Sequence, residues 1–214
     1  MGLLFSIFSF YTTLEVLKFV VGRRKFMSKL IFITGGVRSG KSAFAENYAK
    51  QLYQSYECEN LYYIASGVAF DDEMTSRIKR HQKDREKSEI SWKTIEIQDE
   101  LKFDHQINIK KTVILWDCIT TWLNNVLYKT EHLDEKQRFI EIERYIDAFK
   151  QQLFRWMKEG YIVILVSNEI LDEPESSYQE VNLYRFLLGN LHQWIVLYSE
   201  EAYEMDYSQT KRWK

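Results

Sequence analysis

The fold of this chain is decided by one stretch, Leu30-Ile31-Phe32-Ile33-Thr34 followed by Gly35-Gly36-Val37-Arg38-Ser39-Gly40-Lys41-Ser42. The first part is apolar and rich in branched and aromatic residues, which predicts a buried strand. The second part has the pattern G-x-x-x-x-G-K-S and leads into an alanine-rich segment, 43–52, that predicts a helix. Strand, glycine turn and helix N-terminus form the context of a phosphate-binding loop. The stretch therefore predicts a protein that binds a nucleoside triphosphate, or one descended from such a protein.

Each residue type in this loop suits a phosphate ligand. Glycines let backbone N–H groups close around phosphate oxygens, where a Cβ would intrude. Lys41 would reach the outer phosphates as a point charge, and the Ser42 hydroxyl would bind Mg²⁺. A glycine turn that merely joins a strand to a helix is the alternative, and the complete motif in its proper context disfavours it. The predicted nucleotide-binding residues of the loop are Gly35, Gly36, Val37, Arg38, Ser39, Gly40, Lys41 and Ser42.

Length and composition predict one domain. The chain has 214 residues, enough for one α/β core, and one proline and eight glycines leave little room for linkers. We assign residues 27–214 to this domain. The formal net charge of −2 argues against a general electrostatic grip on nucleic acid. Cys58 and Cys118 lack metal-ligand spacing, so we expect free thiols in a reducing, cytoplasmic setting.

Residues 1–26 form an extension ahead of this domain. They are almost all apolar up to Val21, interrupted by Glu15 and Lys18. The length is close to one bilayer span, but each charge would cost roughly 2.5–3.5 kcal/mol near the centre of a spanning helix. Met27 lies just before the first strand, so we favour a peripheral helix or sequence upstream of the true start over a membrane anchor.

The rest of the chain alternates strand and helix patterns. Apolar runs and helical periodicity predict strands at 60–65, 92–97, 111–117 and 161–166, and helices at 71–81, 121–127, 135–157 and 181–197. A polar loop is expected over 82–91. Alternating strands and helices that start from a phosphate loop imply a mostly parallel sheet covered by helices on both faces.

Polar residues follow several of these strands at the edge where α/β sheets carry their sites. Asp117 ends a buried strand, and we favour a role in holding Mg²⁺ over a helix-capping role. Asn168 and Glu169 follow another strand. His81 lies near the apolar stripe of its helix, where a histidine is more often structural than catalytic. The remaining histidines show no partner pattern and are interpreted as structural: His105, His132 and His192.

Taken together, the motifs resemble the bifunctional adenosylcobinamide kinase/adenosylcobinamide-phosphate guanylyltransferase family of cobalamin assembly. The resemblance runs from about Lys29 to Glu169 in family order and spacing. It rests on Thr34 to Ser42, Tyr63-Ile64-Ala65-Ser66, Asp72-Glu73-Met74 with Arg77-Ile78 and His81, Arg85, Trp92-Lys93-Thr94, Asp117-Cys118-Ile119-Thr120, Asn124-Asn125 and Val166-Ser167-Asn168-Glu169. A phosphate loop alone would be unspecific, whereas its combination with D-E-M-x-x-R-I-x-x-H is highly specific.

The resemblance implies a P-loop NTPase of RecA-like α/β fold, commonly a homotrimer, with ATP and GTP as substrates and Mg²⁺ as cofactor. It implies phosphorylation of adenosylcobinamide and then transfer of GMP from GTP to adenosylcobinamide phosphate. The histidine matching His81 takes up GMP in the family, so His81 and Lys41 become the catalytic candidates. Further positions match family contacts to guanine nucleotide: Ser66, Gly67, Val68, Gln82, Lys83, Asp84 and Arg85, beside Asp117 for nucleotide and metal.

The C-terminal third departs from the family pattern. Ile170 to Glu173 replace a glycine-rich turn, and the last 15 or so residues lack the expected apolar strand and glycine. Two other functions therefore stay open: a non-catalytic nucleotide-binding descendant, and a P-loop kinase for another hydroxyl substrate. The second would not need His81, since direct in-line transfer requires no nucleophilic side chain.

Overall fold

The computed structural model describes residues 28–67, 90–101, 111–169 and 176–214. The N-terminal extension, the predicted helix at 71–81 and most of the predicted loop at 82–91 lie outside these residues. Among the helices of the described residues, none combines the length and the hydrophobicity that a membrane span requires.

Seven strands of the described residues form a single sheet. They are β1 (Lys29–Gly35), β2 (Asn60–Ala65), β3 (Lys93–Glu96), β4 (Thr112–Asp117), β5 (Ile162–Asn168), β6 (Glu201–Asp206) and β7 (Gln209–Arg212). The order across the sheet is β3-β2-β4-β5-β1-β6-β7. All neighbouring pairs are parallel except β6 and β7, which form an antiparallel hairpin. The mostly parallel sheet predicted from the sequence is confirmed, in a RecA-like arrangement.

Four described helices cover both faces of the sheet. They are α1 (Lys41–Ser55), α2 (Ile119–Thr130), α3 (Glu135–Glu159) and α4 (Gln179–Tyr198). Helix α1 packs on one face through Ala45, Ala49 and Leu52, whereas the other three helices share the core of the opposite face. Successive strand residues alternate between the two cores because strand side chains alternate in direction.

Local chemistry sets the ends of α3, the longest helix in the described residues. The Asp134 side chain accepts a 3.0 Å hydrogen bond from the backbone N–H of Gln137 at the start of α3. Gly160 closes the helix in a left-handed conformation, with φ 86°. The aromatic core of this face lies beside α3, where Trp116, Trp122 and Phe149 contact one another.

The C-terminal residues correct one expectation. The last 15 or so residues lack the apolar strand and glycine of the family pattern, and no strand was predicted there, but Glu201–Asp206 pair with β1 and Gln209–Arg212 complete a hairpin. Strand β6 lies next to β7, the edge strand of the sheet. Because fewer side chains are buried near an edge, β6 needs few large apolar residues. Its buried side chains include Ala202 and Met205. The strand conformation follows from backbone pairing with β1, and composition does not reveal this pairing.

Candidate active site

The phosphate loop begins where β1 ends. Strand β1 finishes at Gly35, and helix α1 starts at Lys41 directly after Gly40. The loop has positive φ angles at Arg38 (63°) and Gly40 (91°), and the left-handed angle at Gly40 favours glycine. Residues 36–38 are exposed to solvent. The sequence-predicted strand, loop and helix are thus all present.

Two glycines allow close backbone approach around this loop. A Cβ on Gly35 would lie 2.3 Å from the Met205 carbonyl oxygen of β6. A Cβ on Gly40 would lie 3.1 Å from the hydroxyl oxygen of Ser208. The loop therefore packs closely against the C-terminal hairpin. Both positions favour glycine, because a side chain there would collide with the hairpin.

The helix N-terminus and Lys41 together make a site for an anion. The Lys41 ammonium donates a 3.1 Å hydrogen bond to the Gly36 carbonyl oxygen, so it lies over the loop. Gly40, the residue before α1, makes no side-chain capping hydrogen bond, and the N-terminus of a helix attracts an anion. Ser42, in this first turn, is half-buried.

Two buried hydroxyls at the loop have no hydrogen-bond partner among the described residues. They are Thr34 Oγ1 and Ser39 Oγ. Buried polar groups are normally paired, so unpaired hydroxyls beside an anion site fit a ligand that brings its own oxygens. These observations fit a phosphate-bearing ligand.

Asp117 lies at the same edge of the sheet, two strands away from the loop. It ends β4, and β5 separates this strand from β1. The Tyr63 hydroxyl donates a 3.3 Å hydrogen bond to Asp117 Oδ2. A serine hydroxyl and one carboxylate, completed by phosphate oxygens and water, suit Mg²⁺. In the described ranges no group of three His, Cys, Asp or Glu side chains could hold a metal ion.

A polar network joins the ends of β4 and β5 beside Asp117. Thr120 Oγ1 accepts hydrogen bonds from the backbone N–H of Asn168 at 3.4 Å and from its Nδ2 at 3.2 Å. The same hydroxyl donates to Cys118 Sγ at 2.9 Å. Burial and the Asp117 charge raise the pKa of the Cys118 thiol, so it stays protonated near neutral pH. The network orients Asn168 at the site edge. Glu169 follows it, and its backbone N–H donates to the Gly35 carbonyl oxygen at 2.9 Å.

Ser66, which was predicted to contact nucleotide, is buried at the end of β2. It is 1% exposed, and its hydroxyl accepts a 2.6 Å hydrogen bond from the Trp116 indole. Asn125 donates to the Ser66 carbonyl oxygen at 3.1 Å. Gly67, the next residue, is exposed. The serine thus fixes the end of β2, and Gly67 presents its backbone to solvent.

Six predicted site residues belong to the stretch 68–85. His81, Val68, Gln82, Lys83, Asp84 and Arg85 lie outside the described residues.

His192 was predicted to be structural, and it is buried. One ring nitrogen, Nε2, lies 2.7 Å from the Ser167 hydroxyl oxygen, and the ring contacts Phe32 edge-on. Burial lowers its pKa from 6.5 to about 4, so the ring is neutral at pH 7.

Sequence reasoning missed the contact between the loop and the C-terminal hairpin. The backbone N–H of Ser208 donates a 3.0 Å hydrogen bond to the Ser39 carbonyl oxygen. The turn Tyr207-Ser208 lacks the Asn-Gly or Asp-Gly signal of a tight hairpin. Alternating strand-forming residues on both sides, such as Tyr203 and Thr210, were the available clue.

A phosphate loop on a parallel sheet, with a carboxylate two strands away, defines the class: a P-loop nucleotide-binding protein of RecA-like fold. Residues 31–207 match the family model described as cobinamide kinase / cobinamide phosphate guanyltransferase. The chain belongs to this family, which confirms the resemblance seen in the sequence. Both named activities are transferases, so the expected class of enzyme is confirmed as well.

Individual relatives agree with the family. The chain is 29% identical to the bifunctional adenosylcobalamin biosynthesis protein CobU of Salmonella typhimurium, over 81% of this chain and 93% of that protein. It is 32% identical to the protein of the same name from Escherichia coli, over 66% of this chain and 75% of that protein. Among solved structures, a KaiC-like protein from Pyrococcus horikoshii aligns with a TM-score of 0.41 and 12% identity, covering 87% of this chain and 76% of that chain.

Proposed function

We propose that this protein phosphorylates adenosylcobinamide with ATP or GTP and then transfers GMP from GTP to adenosylcobinamide phosphate, giving adenosylcobinamide-GDP. Family membership over residues 31–207 supports both reactions. The observation that carries the proposal is the exposed phosphate loop with Lys41 over it and Asp117 at the same sheet edge. Such a site serves a kinase and a nucleotidyltransferase equally, because both act on a bound triphosphate.

The phosphates would be held by the loop amides and the N-terminus of α1. Lys41 would neutralise charge that develops on the outer phosphates as a bond to phosphorus breaks. Mg²⁺ would be held by Ser42 and Asp117, directly or through water, and would supply further charge neutralisation. The unpaired hydroxyl of Ser39 would gain a phosphate oxygen as partner.

The guanylyl transfer would run through His81. A neutral ring nitrogen attacks the α-phosphorus of GTP, the bond to the bridging oxygen breaks, and pyrophosphate leaves with its charge held by the loop. A phosphate oxygen of adenosylcobinamide phosphate then attacks the same phosphorus and releases the histidine. The support for His81 is its place in the motif Asp72-Glu73-Met74 to His81.

We further propose a homotrimer in the cytoplasm. The trimer rests on the family resemblance alone, and light scattering on the purified protein tests it. The cytoplasmic location agrees with Cys58 and Cys118, both free thiols.

The proposal is tested by product analysis. Purified protein is incubated with adenosylcobinamide, GTP and Mg²⁺, and the corrinoid products are separated by chromatography. We expect the phosphate first and then the GDP derivative. Lys41→Ala should reduce formation of both by roughly 100-fold or more, since one charge-stabilising group is typically worth that factor. The control is Lys50→Ala. Lys50 is the next lysine along α1 after Lys41, and its replacement should leave both activities unchanged.

The outcomes separate the open alternatives. Corrinoid phosphate without a GDP derivative would indicate a kinase alone. Nucleotide binding without any product would indicate a non-catalytic descendant, and would contradict the proposal.

A further inference from the structure

Three strands end side by side at the phosphate loop. Gly35, Asp117 and Asn168 are the last residues of β1, β4 and β5, and β5 lies between the other two strands. Gly35 is paired with Asn168 in the register of β1 and β5. Asp117 is paired with Val166, two residues earlier on β5. A ligand that spans the loop and Asp117 therefore crosses the end of β5 at Asn168.

Asn168 lies on the same face of the sheet as helix α1. Val166 and Leu115 belong to the core that packs against α1. Side chains two residues apart along a strand share a face of the sheet. Asn168 and Asp117 therefore continue this face at the edge of the sheet, where the loop leads into the N-terminus of α1.

Hydrogen bonds hold the Asn168 side chain in place. Its Nδ2 donates to Thr120 Oγ1 at 3.2 Å, and its backbone N–H donates to the same oxygen at 3.4 Å. The Thr120 hydroxyl gives its hydrogen to Cys118 Sγ, so it accepts from the amide and identifies that side of the amide as nitrogen. The next backbone N–H, of Glu169, donates to the Gly35 carbonyl oxygen at 2.9 Å. The end of β5 is therefore fixed from both neighbouring strands.

The amide offers its oxygen, Oδ1, on the side that the Thr120 contact does not use. Asn168 is partly exposed, so a ligand can reach it. An amide oxygen is an acceptor and repels phosphate oxygens, which are acceptors as well. It suits Mg²⁺ or a water bound to Mg²⁺, because this ion takes oxygen ligands and usually keeps several waters.

We propose that Asn168 is a further residue of the metal site and that its amide oxygen accepts a hydrogen bond from a water bound to Mg²⁺. The inference rests on the proposed function, because it needs a phosphate ligand that carries Mg²⁺ to this edge. Ser42 and Asp117 would hold the metal, and Asn168 would orient its water shell. The role does not depend on where the base lies, so it agrees with the guanine contacts assigned by resemblance to 66–68 and 82–85.

The test measures how much Mg²⁺ strengthens phosphate binding. Wild type and Asn168→Ala are titrated calorimetrically with inorganic tripolyphosphate, once with Mg²⁺ and once with EDTA. In EDTA we expect equal affinities, since the loop and Lys41 bind phosphate without metal. With Mg²⁺, Asn168→Ala should bind roughly 10-fold more weakly than wild type, a typical loss of metal affinity when a partner of the metal's ligands is removed.

A second variant, Asn168→Asp, separates a metal contact from a supporting role. The carboxylate keeps an oxygen at this position and adds a negative charge. It should weaken tripolyphosphate binding in EDTA through repulsion, and it should restore most of the binding with Mg²⁺, which carboxylates bind well. Damage to the fold would instead weaken binding in both conditions.

A matched control is Asn190→Ala. Asn190 is exposed on α4. This helix ends where β1 starts, since the backbone N–H of Glu200 donates to the Leu30 carbonyl oxygen at 2.8 Å. The variant should bind tripolyphosphate like wild type in both conditions.

Three results would overturn the inference. Equal affinity of Asn168→Ala and wild type with Mg²⁺, with both corrinoid products still formed by wild type, would remove the metal role and leave the proposed function intact. Equal losses in Asn168→Ala with Mg²⁺ and with EDTA would show that the residue only supports the strand ends. Wild-type binding that Mg²⁺ does not strengthen would overturn the metal site of the proposed function together with the inference.

Discussion

Gly35 and Gly36 are neighbours in sequence, but their surroundings differ sharply. A Cβ on Gly35 would come within 2.3 Å of a backbone carbonyl oxygen of β6, whereas a Cβ on Gly36 would meet nothing within 4 Å. A backbone carbonyl in a paired strand cannot turn aside as a side chain can. Gly35 is therefore required by packing against β6, whereas a side chain at Gly36 would disturb no contact within the described residues.

Gly35→Ala should lower the free energy of unfolding by about 3 kcal/mol, the upper end for an overpacked site. Gly36→Ala should change it by about 0.5 kcal/mol or less, as at other exposed positions. Urea denaturation of both variants beside wild type measures the difference. Equal stability of the two variants would show that β6 does not lie against Gly35 as described.

At this scale the sequence predicts what is local in the chain. Gly35, Gly40 and Lys41 were assigned from spacing alone because the motif contains all its parts within eight residues. The partners of Ser66 and His192 are 50 and 25 residues away, so no local pattern revealed them. The hydroxyl of Ser39 was assigned to nucleotide, but its burial without a partner is visible only in the fold.

Among the elements, β6 carries a carboxylate that joins three neighbours. The buried Glu201 accepts hydrogen bonds from Tyr48 of α1, Tyr203 of β6 and, at 3.0 Å, from Lys29 of β1. Burial of the carboxyl raises its pKa, but these hydrogen bonds outweigh burial and lower the pKa from 4.5 to about 2. The cluster thus ties the hairpin to the strand that leads into the phosphate loop.

Glu201→Gln should lower the free energy of unfolding by about 2 kcal/mol at pH 7, a typical loss for hydrogen bonds to a charged group. Because the folded pKa is lowered, the unfolded chain binds the proton more readily, and the stabilisation fades as pH falls from about 4.5 toward 2. Urea denaturation between pH 7 and pH 3 should show the two proteins converging in acid.

The control for this variant is Glu204→Gln on the same strand, where an amide oxygen can still accept from Trp213. It should stay close to wild type throughout. A constant gap between Glu201→Gln and wild type across this pH range would contradict the ionised cluster.

Elements with strong apolar runs or helical periodicity were predicted well, and the hairpin was not. The helix predicted at 135–157 is observed as Glu135–Glu159, and the strand predicted at 60–65 is observed with the same bounds. Glu201–Asp206 contains two buried apolar side chains and a buried acid whose partners lie elsewhere in the chain. Its strand conformation follows from pairing with β1, which periodicity does not report.

For the molecule as a whole, a buried neutral histidine links stability to pH. His192 of α4 lies in the core beneath β1 and β5, in contact with Phe32 and Ser167. Its pKa is lowered from 6.5 to about 4 by burial, so the unfolded chain takes up this proton at a higher pH than the folded chain. The stabilisation that comes from keeping this ring neutral is therefore complete above about pH 6.5, and it is lost as the pH falls toward 4.

We expect the free energy of unfolding to decrease between pH 6.5 and pH 5 in wild type, and this slope to be reduced in His192→Asn. Urea denaturation at four pH values across this range provides the measurement. The exposed His132, replaced by Asn, is the control and should keep the wild-type slope. A slope unaltered in His192→Asn would mean that other groups carry the acid sensitivity.

We propose that one nucleotide site supports guanylyl transfer through His81, and covalent labelling tests this role most directly. Wild-type protein and His81→Asn are incubated with Mg²⁺ and GTP labelled on the α-phosphate, then denatured and washed. We expect an acid-labile, base-stable label on wild type and none on the variant, as for a phosphorus–nitrogen bond to histidine. GTP binding by wild type without any covalent label would contradict it.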